Sequence, residues 1–302
     1  MHHVVKRKAT GILMGLFLCG ALLLGTQAWA TEGGGAAYPN GAEDFMSGAA
    51  PPPGTYFINY FLYYSANSFK NDNGNNMLPK FDLDVYADVF RFIHMTDKTL
   101  FGGFWGMHMF LFALHQGVEL PGGVSSNWNG IGDVIVDPFI LSWHWKNFHL
   151  TSGVDIYIPT GNYDSTRIAN TGRNYWTFEP VVAGTFITDS GFQVSTKLMY
   201  DFNTLNTDTD YRSGQEFHLD YLVGQKAWGV DFGVGGYYYQ QTTNDTKRGF
   251  TVPDNKGMTV AVGPAIKYDY KNMSFTGKYY FEVDTKNKPQ GNSLWFKFMY
   301  AF

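Results

Sequence analysis

Residues 294–302 alternate between two kinds of side chain. One parity of this stretch holds Leu294, Phe296, Phe298, Tyr300 and Phe302. Strict alternation places residues of one parity on a single face of a β-strand. That face is almost entirely aromatic, and such a strand at the edge of a soluble sheet would invite aggregation. The stretch therefore predicts a strand whose aromatic face meets an apolar environment, with a soluble edge strand as the alternative.

An aromatic strand of this kind resembles the closing strand of a Gram-negative outer-membrane β-barrel. The resemblance implies that Phe298, Tyr300 and Phe302 form the assembly signal read by the barrel assembly machinery. It also implies a location in the outer membrane, with outer-membrane lipid and lipopolysaccharide as partners.

The first thirty residues have the features of an export signal. Three basic residues at 6–8 precede an apolar run over 11–25, and Ala28 and Ala30 form a small-x-small cleavage site. We assign residues 1–30 to a signal peptide. Cys19, the one cysteine, lies inside it, so the mature chain should lack disulfides and thiol chemistry.

Composition narrows the remaining classes. The signal holds three basic residues and no acid, which leaves 19 basic and 26 acidic residues and makes nucleic acid an unfavourable partner. No helix-like apolar run follows residue 30, so a membrane-embedded chain must close into a barrel to satisfy its backbone hydrogen bonds. An aromatic content of 18% fits a wall with alternating lipid and lumen faces.

The mature chain divides into two parts. Residues 31–54, rich in Gly, Ala and Pro, predict a periplasmic N-terminal extension, which is either a plug or a flexible leader. Residues 55–302 predict an all-β transmembrane antiparallel up-and-down barrel of about twelve strands, with long extracellular loops and short periplasmic turns. The long loops are predicted at 66–80, 117–129, 159–173, 204–212, 242–256 and 284–291, and the short turns at or near 96–99, 146–147, 188–191, 225–227 and 271–272.

Two-residue turns allow strand registers to be predicted. The turn at 271–272 pairs Asp269 with Ser274, and the turn at 146–147 pairs His144 with His149. Pro138 cannot donate to a ladder and predicts a bulge. A third hairpin, about residue 209, predicts three inward pairs: Lys197 with Asp220, Met199 with His218, and Asp201 with Glu216.

Charged residues at inward parity form the candidate site, because carboxylates are costly in lipid. They either interlock to fill and brace the lumen or line a channel that selects its solute. The lumen-lining candidates are Asp82, Asp84, Asp88, Asp155, Glu179, Lys197, Asp201, Glu216, His218, Asp220, Lys267, Lys278 and Lys297.

Catalysis is the weaker hypothesis. Ser142, His144 and His149 are the closest local Ser and His cluster. They lie near a predicted periplasmic turn, whereas hydrolysis of outer-leaflet lipid needs the opposite rim. Two histidines do not complete a metal site. We therefore expect no catalytic residue, cofactor or metal.

Several stretches together resemble a known family, the outer-membrane proteins associated with the meta-cleavage pathway of phenol degradation. The resemblance implies transport of aromatic or other hydrophobic compounds, and it supplies no catalytic residues. The expected function is an outer-membrane channel for passive uptake of small aromatic or amphipathic solutes. The alternatives are an enzyme acting on lipid or peptide and a filled structural barrel. The matching stretches are residues 38–46, 130–134, 159–164, 170–180, 197–203 and 211–221.

Deleting Phe302 should impair assembly, because it removes the last aromatic of the signal. Lys297→Ala should leave assembly intact, because Lys297 has the opposite parity and should point into the lumen. If the barrel is a channel, Lys297→Ala should also change its conductance. Heat-dependent gel mobility of outer-membrane extracts measures the folded fraction, and the reverse pattern would contradict the face assignment.

Overall fold

The structure is a computed structural model that describes residues 30–302. The signal peptide predicted at 1–30 lies, apart from Ala30, outside the described residues. A 3₁₀ turn over Glu32–Gly34 precedes the strands. The strands, in chain order, are β1 (Gly54–Phe69), β2 (Asp82–Leu100), β3 (Gly103–Leu120), β4 (Val124–Ile131), β5 (Val134–His144), β6 (Phe148–Ile158), β7 (Thr177–Ile187), β8 (Phe192–Asn203), β9 (Tyr211–Arg212), β10 (Glu216–Ala227), β11 (Val230–Gln241), β12 (Thr246–Lys247), β13 (Phe250–Thr251), β14 (Met258–Tyr270), β15 (Met273–Lys286) and β16 (Pro289–Ala301).

The wall is a closed antiparallel barrel of twelve strands, as the sequence predicts. Each neighbouring pair runs antiparallel, and β1 closes the ring by pairing with β16. β4 and β5 both pair with β3, at different heights, and together form one broken wall strand. The short strands β9, β12 and β13 form a separate small sheet. Closure leaves the wall without an edge that would expose unpaired backbone groups.

The predicted registers are confirmed. Asp269 pairs with Ser274 across the turn at 271–272, and His144 pairs with His149. The ladder between β5 and β6 shifts register around Pro138. The pairs between β8 and β10 also have the predicted partners: Lys197 with Asp220, Met199 with His218, and Asp201 with Glu216.

Two predicted long loops are wrong. Residues 117–129 and 284–291 form hairpins with tight turns at 121–123 and 287–288. β2 has 19 residues and β3 has 18, whereas about 9–11 span a bilayer. Strand ends that project past the bilayer have no lipid-facing apolar face, so their sequence resembles that of a loop. Two short turns also lie later than predicted, at 101–102 and 228–229.

The outer face of the barrel is apolar and rich in aromatic side chains, as a lipid-facing band requires. Its exposed members come from strands all around the wall. No described helix in 30–302 is long and apolar enough to span a membrane. Exposed aromatics include Phe92, Phe139, Phe148, Phe178, Phe202, Phe232, Phe275 and Phe296.

The loop over 159–176 lies against the wall through two glycines. A Cβ on Gly161 would lie 2.6 Å from the Cα of Gly172 and 2.8 Å from the carbonyl carbon of Gly132. Real Cβ atoms do not approach backbone this closely, so only glycine permits the contact.

Gly161→Val should therefore detach this loop, with overpacking costing about 1–3 kcal/mol. We expect limited proteolysis to cut residues 162–171 at least several times faster, while heat-dependent gel mobility stays unchanged. Gly117→Ala is the matched control, because the nearest atom to its Cβ, in the His115 ring, lies 4.0 Å away. Equal cleavage rates for the two variants would contradict this packing account.

Candidate functional site

Ten of the thirteen predicted lumen residues have side chains on the inner side of the wall. Eight are buried, and Lys267 and Lys297 are partly buried. Alternation along β7, β8 and β10 brings the carboxylates and bases of neighbouring strands together. The buried eight are Asp155, Glu179, Lys197, Asp201, Glu216, His218, Asp220 and Lys278.

The other three, Asp82, Asp84 and Asp88, are not on the inner face, which corrects the prediction for β2. The alternate residues, such as Val85 and Val89, line the cavity instead. The outward carboxylates have local partners on β1. The Asn59 amide donates to Asp88 at 2.5 Å, and the Tyr63 hydroxyl donates to Asp84 at 2.8 Å. Neutral donors from the neighbouring strand reduce the cost of the outward position.

Residues 38–48, which we call the inner segment, run through the barrel. Asp220 of β10 accepts three hydrogen bonds from this segment: from the Tyr38 hydroxyl at 2.6 Å and from the backbone N–H groups of Gly41 and Glu43, both at 2.9 Å. One buried carboxylate thus fixes a whole turn of the segment.

Charge pairs hold the next residues of the inner segment. The Asp44 carboxylate lies between the ammonium groups of Lys278 and Lys297, at 2.8 and 2.5 Å. The Glu43 carboxylate accepts a hydrogen bond from the Arg91 guanidinium at 2.9 Å. These contacts tie the segment to β2, β15 and β16.

The last part of the inner segment docks through its backbone. The N–H of Met46 donates to Ser195 at 3.1 Å, and the N–H of Gly48 donates to Thr185 at 3.0 Å. Thr151 donates to the carbonyl of Gly48 at 2.9 Å. A Cβ on Gly48 would lie 2.5 Å from the backbone of Gly184, so this approach also requires glycine.

The residues before the inner segment lie among the long loops. Lys288, in the turn after β15, donates to the carbonyl of Gly34 at 3.0 Å. Arg173 donates to the carbonyls of Gly35 and Ala36. Burial lowers the pKa of Lys288 to about 8, although the charge of Glu216 acts in the opposite direction. The chain thus passes from the loop end of the barrel to the opposite rim, where β1 begins.

Cavities lie on either side of the inner segment, and a further one of about 220 Å³ adjoins the first between residues 33–40 and the wall. The outer cavity, of about 630 Å³, has an apolar wall from β1, β2, β3 and β16 and a polar rim from the loop over 159–176. The inner cavity, of about 250 Å³, is lined by both charged and apolar residues of the wall and by residues 45–47 and 49–51. Between them lies a void of about 20 Å³. Wall residues of the outer cavity include Leu62, Val85, Val89, Phe112, Leu114, Ile135 and Trp295.

Arg91 and His108 were not among the sequence candidates. The Arg91 guanidinium donates to the Nδ1 of His108 at 2.8 Å, and the Nε2 of His108 contacts Asp155 at 2.6 Å. Arg91 has the same parity as the apolar cavity residues of β2. The other parity of β2 was predicted to face the lumen, so Arg91 was missed. Asp137, inward at the predicted bulge, is also buried.

Ser142 and the neighbouring histidines form a hydrogen-bonded row. The Oγ of Ser142 lies 3.1 Å from the Nε2 of His144, and the Nδ1 of His144 lies 2.9 Å from the Nδ1 of His149. A catalytic triad places a carboxylate where His149 lies. The row also adjoins the short turn at 145–147, so this geometry does not match a triad.

Solved structures with the same fold are bacterial outer-membrane proteins. A crystal structure of an outer membrane channel from Pseudomonas putida F1 aligns with a TM-score of 0.76 and 16% identity, covering 85% of this chain and 98% of that one. The transport unit of the Escherichia coli autotransporter AIDA-I aligns with a TM-score of 0.52 and 7% identity, covering 85% and 95%. At sequence identities of 16% and 7%, this structural similarity shows a shared fold.

A family model described as "Putative MetA-pathway of phenol degradation" matches residues 66–298. This range includes every strand of the barrel except part of β1 and the end of β16. A search of curated proteins finds no match.

Asp220→Ala should loosen the inner segment, because two backbone N–H groups and a hydroxyl lose their acceptor, at about 1–3 kcal/mol for each buried donor left unpaired. A thiol introduced as Ser47→Cys reports the change. We expect the double variant to react with a water-soluble maleimide at least tenfold faster than Ser47→Cys alone. Asp269→Ala, at the rim, is the control, and equal rates in all three proteins would contradict the anchoring role.

Proposed function

The chain belongs to this phenol-degradation family of outer-membrane barrels, and we propose that it is a channel for passive diffusion of small aromatic or amphipathic solutes. The observation that carries the proposal is the outer cavity. It has the size of a small-molecule site, and it opens among the long loops. Its one apolar wall and its polar rim suit a solute with an apolar ring and a polar substituent.

The inner segment is the gate in this proposal. A solute in the outer cavity meets Tyr38, Tyr60, Tyr157 and Trp295 around the small void that leads to the inner cavity. Passage requires the inner segment to shift. Because its contacts are ion pairs and hydrogen bonds to polar wall residues, water can replace them when the segment moves.

A filled structural barrel is the second candidate, and one observation favours it. Lysines and carboxylates meet across the lumen, most closely where Asp44 lies between Lys278 and Lys297. If these pairs never open, the barrel only braces the membrane. Lipid and lipopolysaccharide around the aromatic band, and the barrel assembly machinery acting on the closing strand, are proposed partners in either case.

Asp44→Ala should open the channel. It leaves Lys278 and Lys297 without their shared counter-charge, and breaking a buried ion pair costs about 3–5 kcal/mol. We expect the open fraction in planar-bilayer recordings to rise roughly 100-fold or more. Liposomes that contain the variant should swell in phenol or catechol faster than in a sugar of similar mass.

Asp269→Ala is the control for Asp44→Ala. It also removes a carboxylate that pairs with a lysine, at 2.5 Å from Lys267, but at the exposed rim away from the inner segment. Its recordings should match wild type. If neither wild type nor Asp44→Ala conducts or passes any solute, the channel proposal is wrong and the filled barrel remains.

A further inference from the structure

Three carboxylates and one imidazole meet on the inner face of β7, β8 and β10. Glu179, Asp201, Glu216 and His218 are each fully buried, with no exposed surface. The strand registers bring them together, because Asp201 pairs directly with Glu216 and His218 follows two residues later on the same face. The donor atoms of Glu179, Asp201 and His218 all lie within 4.8 Å of one another.

Each carboxylate of this cluster has one oxygen without a hydrogen-bond donor, and in Glu179 and Glu216 a neighbouring side chain holds the other oxygen. Tyr157 donates to the Oε2 of Glu179 at 3.1 Å, and Asn203 donates to the Oε1 of Glu216 at 3.1 Å. Within the described chain, no donor reaches the Oε1 of Glu179, the Oδ1 of Asp201 or the Oε2 of Glu216. Buried carboxylate oxygens left in this way are costly unless a proton or a cation neutralises the charge.

The neighbouring cations are already engaged elsewhere. The ammonium of Lys288 binds the carbonyl of Gly34 at 3.0 Å, and Arg173 binds two backbone carbonyls. Lys197 forms its ion pair with Asp155, at 3.9 Å. None of these three forms a hydrogen bond to a carboxylate of the cluster in the described structure, so the free oxygens have no hydrogen-bonded cation.

The imidazole of His218 is oriented as a metal ligand would be. Its Nδ1 lies 2.6 Å from the Oδ1 of Asn40, which accepts the ring hydrogen. The Nε2 lone pair then faces the carboxylates. An outer partner that fixes the tautomer in this way is typical of metal-binding histidines.

Two distances between donor atoms are close to those in a small tetrahedral site. The Nε2 of His218 lies 3.2 Å from the Oδ2 of Asp201 and 3.6 Å from the Oε2 of Glu216. Ligands bound to zinc at about 2.0–2.1 Å in a tetrahedron lie roughly 3.3–3.4 Å apart. We propose that this cluster binds a divalent cation of the zinc type, with His218, Asp201 and Glu179 as its protein ligands.

The proposed ion would link the wall to the inner segment, because Asn40 belongs to that segment and orients the ligand His218. This proposal differs from the expectation, made from the sequence, that the chain holds no metal. It does not depend on the channel proposal, since it rests on residues of the wall and its test measures binding alone.

The test uses the mature barrel, purified without a polyhistidine tag, treated with EDTA and titrated with Zn²⁺ against a chromophoric chelator. We expect one high-affinity Zn²⁺ per chain, weaker binding of Mg²⁺ because it disfavours imidazole, and a loss of roughly 100-fold or more in Asp201→Asn. Asn40→Ala removes only the outer partner and should lower the affinity by about 10- to 100-fold.

His149→Ala is the matched control, because it breaks the surface histidine pair that could also attract zinc. Its affinity should equal that of wild type. Binding lost in His149→Ala but retained in Asp201→Asn would overturn the proposal, as would the absence of tight binding to wild type.

Should Asp201→Asn fail to fold, X-ray absorption of the zinc-loaded wild-type protein identifies the ligands instead. One imidazole with oxygen ligands at about 2.0 Å supports the site, and two imidazoles refute it.

Discussion

The contact on which the interior depends is the Asp44 carboxylate held between Lys278 and Lys297. Two like charges on neighbouring strands repel each other in a low-dielectric lumen, and a buried charge without a partner is unfavourable. The wall therefore does not balance its own charge at this position. It needs an acid from outside the strands, and the inner segment brings that acid to the point where β15 and β16 meet.

The same logic extends along the segment. Among residues 30–302, no base forms a hydrogen bond to Asp220, which is satisfied by the Tyr38 hydroxyl and two backbone N–H groups of the inner segment. Arg91 in turn finds its acid, Glu43, on the segment. Wall and segment are thus complementary parts of one electrostatic unit, and neither could be altered at these positions without leaving the other unpaired.

How much of this the sequence could predict depends on where a residue's partner lies. Registers next to two-residue turns, such as Asp269 with Ser274, follow from local geometry and were confirmed. The faces of β2 were misassigned because both parities alternate equally well, and the carboxylates of Asp84 and Asp88 find donors on the outer face. The alternation of residues along a strand does not by itself show which face of the strand points into the barrel.

The inner segment illustrates a second limit on what can be predicted from the sequence. Gly48 and its neighbours dock by backbone hydrogen bonds and close approach, which produce no periodic side-chain pattern. A sequence rich in glycine, alanine and proline therefore looks the same whether it is a loose leader or a fitted insert. The acidic residues Glu43 and Asp44 can be read from the sequence. The basic residues that pair with them lie far along the chain, so no local spacing connects the two sets.

The path of the inner segment has a consequence for the order of assembly. Asp44 must find Lys278 and Lys297, which come more than two hundred residues later in the chain, so docking waits for the last strands. Contacts of such long sequence separation form late, because the loop they close must be ordered first. The newly closed barrel would then pass through a stage with a hydrated, charged lumen, and the segment would enter as the final step. On this order the interior would be filled after the wall is complete, in contrast to a soluble protein, whose core forms as its chain collapses.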